Sequence, residues 1–371
     1  MSGSVACPCR RISVVTGDGV ENRRWMVGWR DRGSRMIAAY TRYGPPDVVE
    51  VGEIEKLVPN DGEVLIKVFA ASVNPLDWKT MGGGPHVVRA MLGLRRPKIR
   101  RLGVDVAGRV EAVGRDVTEF KPGDEVFGTC RGAFAEYACA CEPARLMKSA
   151  LARKPENVTF EQAAAAPVAA LTALQGLRDK GWIQPGQRVL VNGAAGGVGT
   201  FAVQIAKAFG ADVTGVCSTR NVDMVRSIGA DRVIDYTQQD FTKSWERYDI
   251  FFDCVGNRSL SSCRRILNPR GVLVMVGAPK NVRVTDLLGR LIGALVMSPF
   301  LNQKLVPFIS RSNREDLGLI RELMSNGKVK PVIDRLYSLS EVPEALNYLK
   351  GGHAQGKVVI VVQERPEALL V

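Results

Sequence analysis

VLVNGAAGGVG, residues 189–199, decides the fold of this 371-residue chain. It is an apolar run that breaks into glycines and continues as VGTFAVQIAKAFG (198–210), whose apolar residues recur at helical spacing. Glycines let a backbone come close to a pyrophosphate, and a helix start offers it unpaired N–H groups and a positive dipole end. The GxGxxG register is imperfect, since Ala194 stands where the first glycine would be, but the flanking strand and helix supply the required context. Gly196, Gly197, Val198 and Gly199 are therefore expected to cradle the phosphates of a dinucleotide.

Outward from this turn, strands alternate with helices. RVLVN (188–192) is followed by a helix over 197–209, DVTGVC (212–217), a helix over 221–228 and RVIDY (232–236). DIFFDCV (249–255), a helix over 259–267 and GVLVMVG (271–277), which ends at Gly277, complete the run. This rhythm predicts a doubly wound parallel sheet in an α/β protein. A buried helix broken at Pro167 is expected over 161–179, and helices near 284–297 and 314–325 and a last strand, KVVIVV (357–362), follow. That strand is expected to return to the N-terminal domain. From Met36 to about Lys154 the texture differs, with short β runs at 64–73, 105–114, 124–130 and 134–140 between turn signals, which predicts a compact β-rich domain. Residues 1–35 carry seven arginines and no apolar periodicity and are expected to be a disordered extension.

Composition narrows the function classes. With 46% hydrophobic residues the chain can bury two cores. No apolar stretch approaches the roughly 20 residues of a membrane span, and the N-terminus lacks the apolar core of a secretory signal, so a cytoplasmic location is expected. Eight cysteines, of which only the pairs Cys7/Cys9 and Cys139/Cys141 are closely spaced, as CxC, are neither a disulfide framework nor a zinc knuckle, and two histidines exclude imidazole-rich metal sites. The net charge of +13 peaks at Arg89, Arg95, Arg96, Lys98, Arg100 and Arg101, without interleaved aromatics for base stacking. This cluster reads as a solvated loop face, or as steering for an anionic ligand, and no nucleic-acid partner is expected.

The end of the second strand selects among dinucleotides, because an acidic residue about 20 positions on would hold a free ribose 2′-hydroxyl. Cys217 stands there, followed by Ser218, Thr219 and Arg220. Without that carboxylate, and with Arg220 able to pair with a 2′-phosphate, NADPH is the expected cofactor.

AASVNPLDWK (70–79), GVDVAGRVEAVG (103–114), FKPGDEVFG (120–128), NGAAGGVG (192–199), SIGADRVIDY (227–236) and GHAQGKVVI (352–360) carry a resemblance. The chain resembles the zinc-independent quinone oxidoreductases, the zeta-crystallin branch of the medium-chain dehydrogenase/reductase superfamily, and is similar to plant alkenal and enone reductases. The resemblance implies a GroES-like β-rich catalytic domain, residues 36–160 plus 306–371, with a Rossmann domain, residues 161–305, inserted. It also implies a small electrophilic substrate, a quinone or an α,β-unsaturated carbonyl, and is compatible with a homodimer. The Cys, His and Cys that hold catalytic zinc in other members correspond here to Asn74, Val104 and about Val168, so no metal is expected.

By the same resemblance Asn74 and Lys79 face the nicotinamide, with Asp105 close behind. Lys79 is expected to polarise the acceptor oxygen, and Asn74 to bond that oxygen or the nicotinamide ribose. Thr172 would pack beside the nicotinamide, and Tyr236 would lie against the adenosine 2′-phosphate. The competing assignments are a surface role for Lys79 and turn capping for Asp105. Two competing functions stay open: an enoyl-thioester reductase, with the basic loop receiving a phosphorylated carrier, and a non-catalytic NADPH-binding protein.

Overall fold

A computed structural model describes residues 34–82, 97, 101–141, 149–277, 289, 292–294 and 302–363. Strand β1 (Ser34–Tyr40), which starts two residues before Met36, forms an antiparallel hairpin with β2 (Val49–Glu55). Strand β3 (Glu63–Val73) is buried along most of its length and runs into α1 (Pro75–Met81). Asn74 caps α1 in a reciprocal box with Asp77, and proline fills the first helical turn, where its missing N–H costs nothing.

Strands β4 (Asp105–Val113), β5 (Glu125–Thr129), β6 (Tyr137–Cys141) and β7 (Ala150–Arg153) follow. Antiparallel pairing joins β3 to β4 and β6, and β5 to β4 and β7. Val64, Ile66, Val68, Val106, Val126 and Phe134 fill the core of this domain. Most of the basic cluster lies outside the described residues; Arg101 forms a single bridge to Ala39.

Helices α2 (Phe160–Ala165) and α3 (Pro167–Gln175) replace the one interrupted helix expected, and one π-helical turn (Gly176–Lys180) extends α3. Pro167 divides them because a ring at that position clashes with the preceding turn. Then come β8 (Arg188–Asn192), α4 (Gly197–Ala208), β9 (Asp212–Cys217), α5 (Val222–Ser227), β10 (Arg232–Asp235), β11 (Tyr248–Asp253), α6 (Leu260–Arg265), β12 (Leu267–Met275) and β13 (Lys304–Pro307). These strands form a six-stranded sheet in the order β10–β9–β8–β11–β12–β13, every neighbouring pair parallel. The order reverses between β8 and β11, and that switch point is where doubly wound sheets open a ligand crevice.

Helix α7 (Arg314–Ser325) inserts Leu317, Ile320 and Leu323 into the core that holds Leu171 and Leu174 of α3. After β14 (Ile333–Ser338) and α8 (Val342–Gly351), β15 (Lys357–Val361) pairs parallel with β14 and antiparallel with β3. The last strand thus returns to the first domain as expected, and β13 carries the parallel sheet two residues past 305. No helix among the described residues is long and apolar enough to cross a membrane.

Candidate active site

At the switch point Gly193 turns the chain out of β8 with φ 81°, a left-handed conformation that favours glycine. The N–H groups of Gly193 and Ala194 bond to Val216 O, which fixes the turn to β9. A methyl on Gly199 would lie 2.0 Å from Gly193 O, so helix and turn can pack this closely only through glycine. Gly196, the cap of α4, has φ −84°, and a methyl there would meet only Gly193 O, at 3.4 Å, and otherwise open space. Asp253 at the end of β11 accepts bonds from Asn192 Nδ2 (2.9 Å) and Gly256 N (2.8 Å), tying the ends of β8 and β11 to the loop that follows. Gly277, just past β12, packs so tightly that a methyl would come 1.9 Å from Cys254 O. An open, amide-lined helix start beside glycine-only packing fits a phosphate-bearing dinucleotide.

Ser218, Arg220 and Tyr236 gather at the ends of β9 and β10. Tyr236 N bonds Cys217 O at 3.0 Å and its ring is exposed, while Ser218 Oγ accepts from Asn221 Nδ2 at 3.1 Å. Arg220 is exposed and donates to His353 O at 2.5 Å, a contact between parallel-sheet domain and C-terminal segment. The structure adds a carboxylate here: Asp235, level with Cys217 in the sheet, accepts from Thr219 Oγ1 (2.6 Å) and Thr237 Oγ1 (2.8 Å). The Thr219 hydroxyl bond leads the contacts that hold its carboxyl below the usual range.

A buried polar network joins the starts of α1, α3 and β15. Asp105, 0% exposed, accepts on one oxygen from Ser72 Oγ (2.7 Å) and Asn74 Nδ2 (2.9 Å), and on the other from Val168 N (2.9 Å) at the start of α3. Lys357, 3% exposed, donates to Asn74 Oδ1 at 2.6 Å and pairs with Asp105 at 3.3 Å. Asp77 accepts from Asn74 N at 2.7 Å. Burial, only partly offset by that bond, pushes the Asp77 carboxyl up to about 7, and the nearby Asp105 charge adds to the rise. Thr172 Oγ1 bonds Val168 O (2.7 Å) and Ser310 Oγ (2.8 Å).

Of the expected cleft residues, Asn74, Asp105 and the position of Val168 come together, with Thr172 one helical turn on. Lys79 does not join them: it is exposed on the last turn of α1, its ammonium 5.7 Å from the Trp78 ring centre. Asp105 does more than cap a turn, since it bonds three separate segments. Lys357 and Asp77 are absent from the sequence-based set. A signal for each existed, a lysine opening the otherwise apolar KVVIVV and an acid three residues after the Asn74 cap.

Residues 60–155 match the alcohol dehydrogenase GroES-like domain family, and residues 228–360 match the zinc-binding dehydrogenase family. A chloroplastic quinone-oxidoreductase of Triphysaria versicolor is 36% identical over 317 residues, covering 81% of this chain and 90% of the relative. The chain belongs to the quinone oxidoreductases of the medium-chain dehydrogenase/reductase superfamily. Among other relatives of this quinone oxidoreductase family member, a 2-methylene-furan-3-one reductase of Solanum lycopersicum is 35% identical over 87% of the chain and 78% of the relative. The solved quinone oxidoreductase of Coxiella burnetii superposes with a TM-score of 0.75 at 29% identity, over 89% of this chain and 100% of that one.

A zinc ion, implied by one family description, does not fit the residues present. Val104 and Val168 have no side-chain donors, and the Asn74 oxygen already accepts from an ammonium. Among the described residues no three His, Cys, Asp or Glu side chains cluster.

Proposed function

We propose that this protein is an NADPH-dependent reductase of quinones or α,β-unsaturated carbonyl compounds that works without zinc. The observation that carries the reading is the open glycine turn at the switch point, lying alongside a cleft whose metal-ligand positions hold an amide and two valines. When bound, the reduced nicotinamide supplies a hydride. The chain's part is to bind, orient and stabilise charge.

Gly196, Gly197, Val198 and Gly199 would hold the pyrophosphate on the amides of α4. Gly277 and Thr172 would border the nicotinamide, and Ser218, Arg220 and Tyr236 the 2′-phosphate. Lys79, exposed and free to turn from Trp78, would answer the charge that develops on the acceptor oxygen. Asn74 has both ends of its carboxamide engaged, so its contribution is to shape the cleft through Asp105 and Lys357. An acceptor that is already electron-poor needs no Lewis acid, which suits a cleft of this composition.

The experiment is NADPH oxidation against ortho- and para-quinones, short alkenals, cyclic enones and enoyl thioesters. Turnover confined to enoyl thioesters would replace the substrate class, and NADPH binding without turnover on any acceptor would reduce the protein to a dinucleotide-binding role. Asp235 favours a second reading, NADH as cofactor, because a carboxylate beside Thr219 can accept from a ribose hydroxyl.

A further inference from the structure

Lys357 belongs to two places at once. Gly356, the residue before it, bridges to Gly196 and donates its N–H to Ala195 O at 2.8 Å, so β15 begins on the dinucleotide turn. The lysine stem then passes Gly197 closely enough that a methyl there would come 3.1 Å from Lys357 Cδ. Its ammonium ends in the cleft, on Asn74 Oδ1 (2.6 Å), Asp105 Oδ2 (3.3 Å) and Val73 O (3.4 Å). An ammonium has three N–H donors. These three acceptors use all of them, which leaves none for a substrate.

We propose that Lys357 is a positioning residue that locks the dinucleotide turn to the floor of the cleft; the inference rests on the dinucleotide reading given above. With Asn74 Oδ1 on the ammonium and Nδ2 on Asp105, only one orientation of the carboxamide satisfies both neighbours. Asp105 in turn holds the first turn of α3 through Val168 N, and α3 carries Thr172. One side chain therefore sets the spacing between the phosphate turn, the cleft floor and the helix beside the nicotinamide position. Removing one partner of a buried ion pair strands the other charge and is strongly unfavourable, so loss of the lysine is felt in melting as well as in binding.

The test compares wild type, Lys357→Met, Lys357→Arg and the double variant Lys357→Met/Asp105→Asn, by thermal melting and by the dissociation constant for NADPH from calorimetry. Lys357→Met keeps the stem and loses the charge, and should melt several degrees lower and bind NADPH at least ~10-fold more weakly. Lys357→Arg should restore most of both. The double variant removes the stranded carboxylate, so its melting temperature should recover while its NADPH affinity stays low, because the anchor of the turn is still missing. It also carries the test should Lys357→Met fail to fold. Recovery of both properties in the double variant would overturn the proposal, since Lys357 would then only balance charge. Unchanged NADPH affinity in Lys357→Met would overturn it as well. A wild type that binds no dinucleotide would refute the proposed function itself, and is seen in the first titration.

Discussion

Replacing Gly196 and Gly199 by alanine, one at a time, separates a glycine needed by the fold from one needed by a ligand. At Gly199 the new methyl would lie 2.0 Å from Gly193 O, 2.8 Å from Gly193 C and 2.9 Å from Ala194 Cα. All three are backbone atoms that cannot swing aside, so the turn or the helix start must move, at ~1–3 kcal/mol or more. At Gly196 the methyl would meet Gly193 O at 3.4 Å, an ordinary contact, in a conformation alanine adopts freely. The lower unfolded-state entropy of alanine is worth ~0.4–1 kcal/mol and opposes its weaker capping, so Gly196→Ala should stay within ~0.5 kcal/mol of wild type. Its methyl nevertheless points into the space a pyrophosphate would enter. Losing a charge-assisted hydrogen bond of ~1.5–3 kcal/mol would weaken NADPH binding ~10- to 100-fold. Thermal melts without ligand and calorimetric titration with NADPH read the two effects apart. A Gly196→Ala variant that binds NADPH like wild type would refute the placement of the phosphates.

Arg220→Ala should weaken NADPH ~10- to 100-fold and leave NADH nearly unchanged, since only NADPH carries an anion at the 2′ position; equal losses for both dinucleotides would mean that Arg220 serves the domain contact with His353. Asp77 titrates near 7 in the fold, mainly through burial, against about 3.9 in an unfolded chain. The folded protein thus keeps a proton that the unfolded chain has shed, and the stability this lends is full below about pH 4 and drains away as the pH rises through 7. Asp77→Asn should flatten that decline in melts run between about pH 5 and about pH 8, and an unchanged slope would count against it. Elemental analysis of the purified protein should find no stoichiometric zinc; one tightly held zinc per chain would overturn the metal-free mechanism.

Periodicity made the parallel sheet legible, because β8, β9, β11 and β12 carry buried apolar runs and β10, RVID, follows in the same strand–helix rhythm. Strand β13 was not: KLVP is four residues long and is half covered only because β12 lies beside it. Strand β14, IDRLYS, lies at a sheet edge with no residue fully buried and even Leu336 exposed, so it gives no buried run to detect. Within the site, Asn74, Asp105 and the glycines sit in motifs with a local physical logic and could be named. Lys357 has only the weak signal of a lysine opening an apolar strand, because its partners lie on β3, the start of α1 and β4, and a lysine's usual place is solvent. Asp235 escapes the motif for a related reason. The acid beside Cys217 arrives from the neighbouring strand, whereas the acidic fingerprint of dinucleotide specificity is counted along a single strand.

The return of the chain through Gly356 onto the phosphate turn limits how this protein can be taken apart. The parallel sheet is contiguous in sequence, which makes it look like a cassette that could be excised or exchanged among relatives. Yet Ala195 O and the wall beside Gly197 are completed by Gly356 and Lys357, at the start of β15 in the other sheet. A swapped dinucleotide half would arrive with one side of its phosphate turn bare unless residues 352–357 travelled with it. The seam between the two sheets runs through the proposed dinucleotide site, so a chimera that folds well in both halves can still fail at the place where they meet.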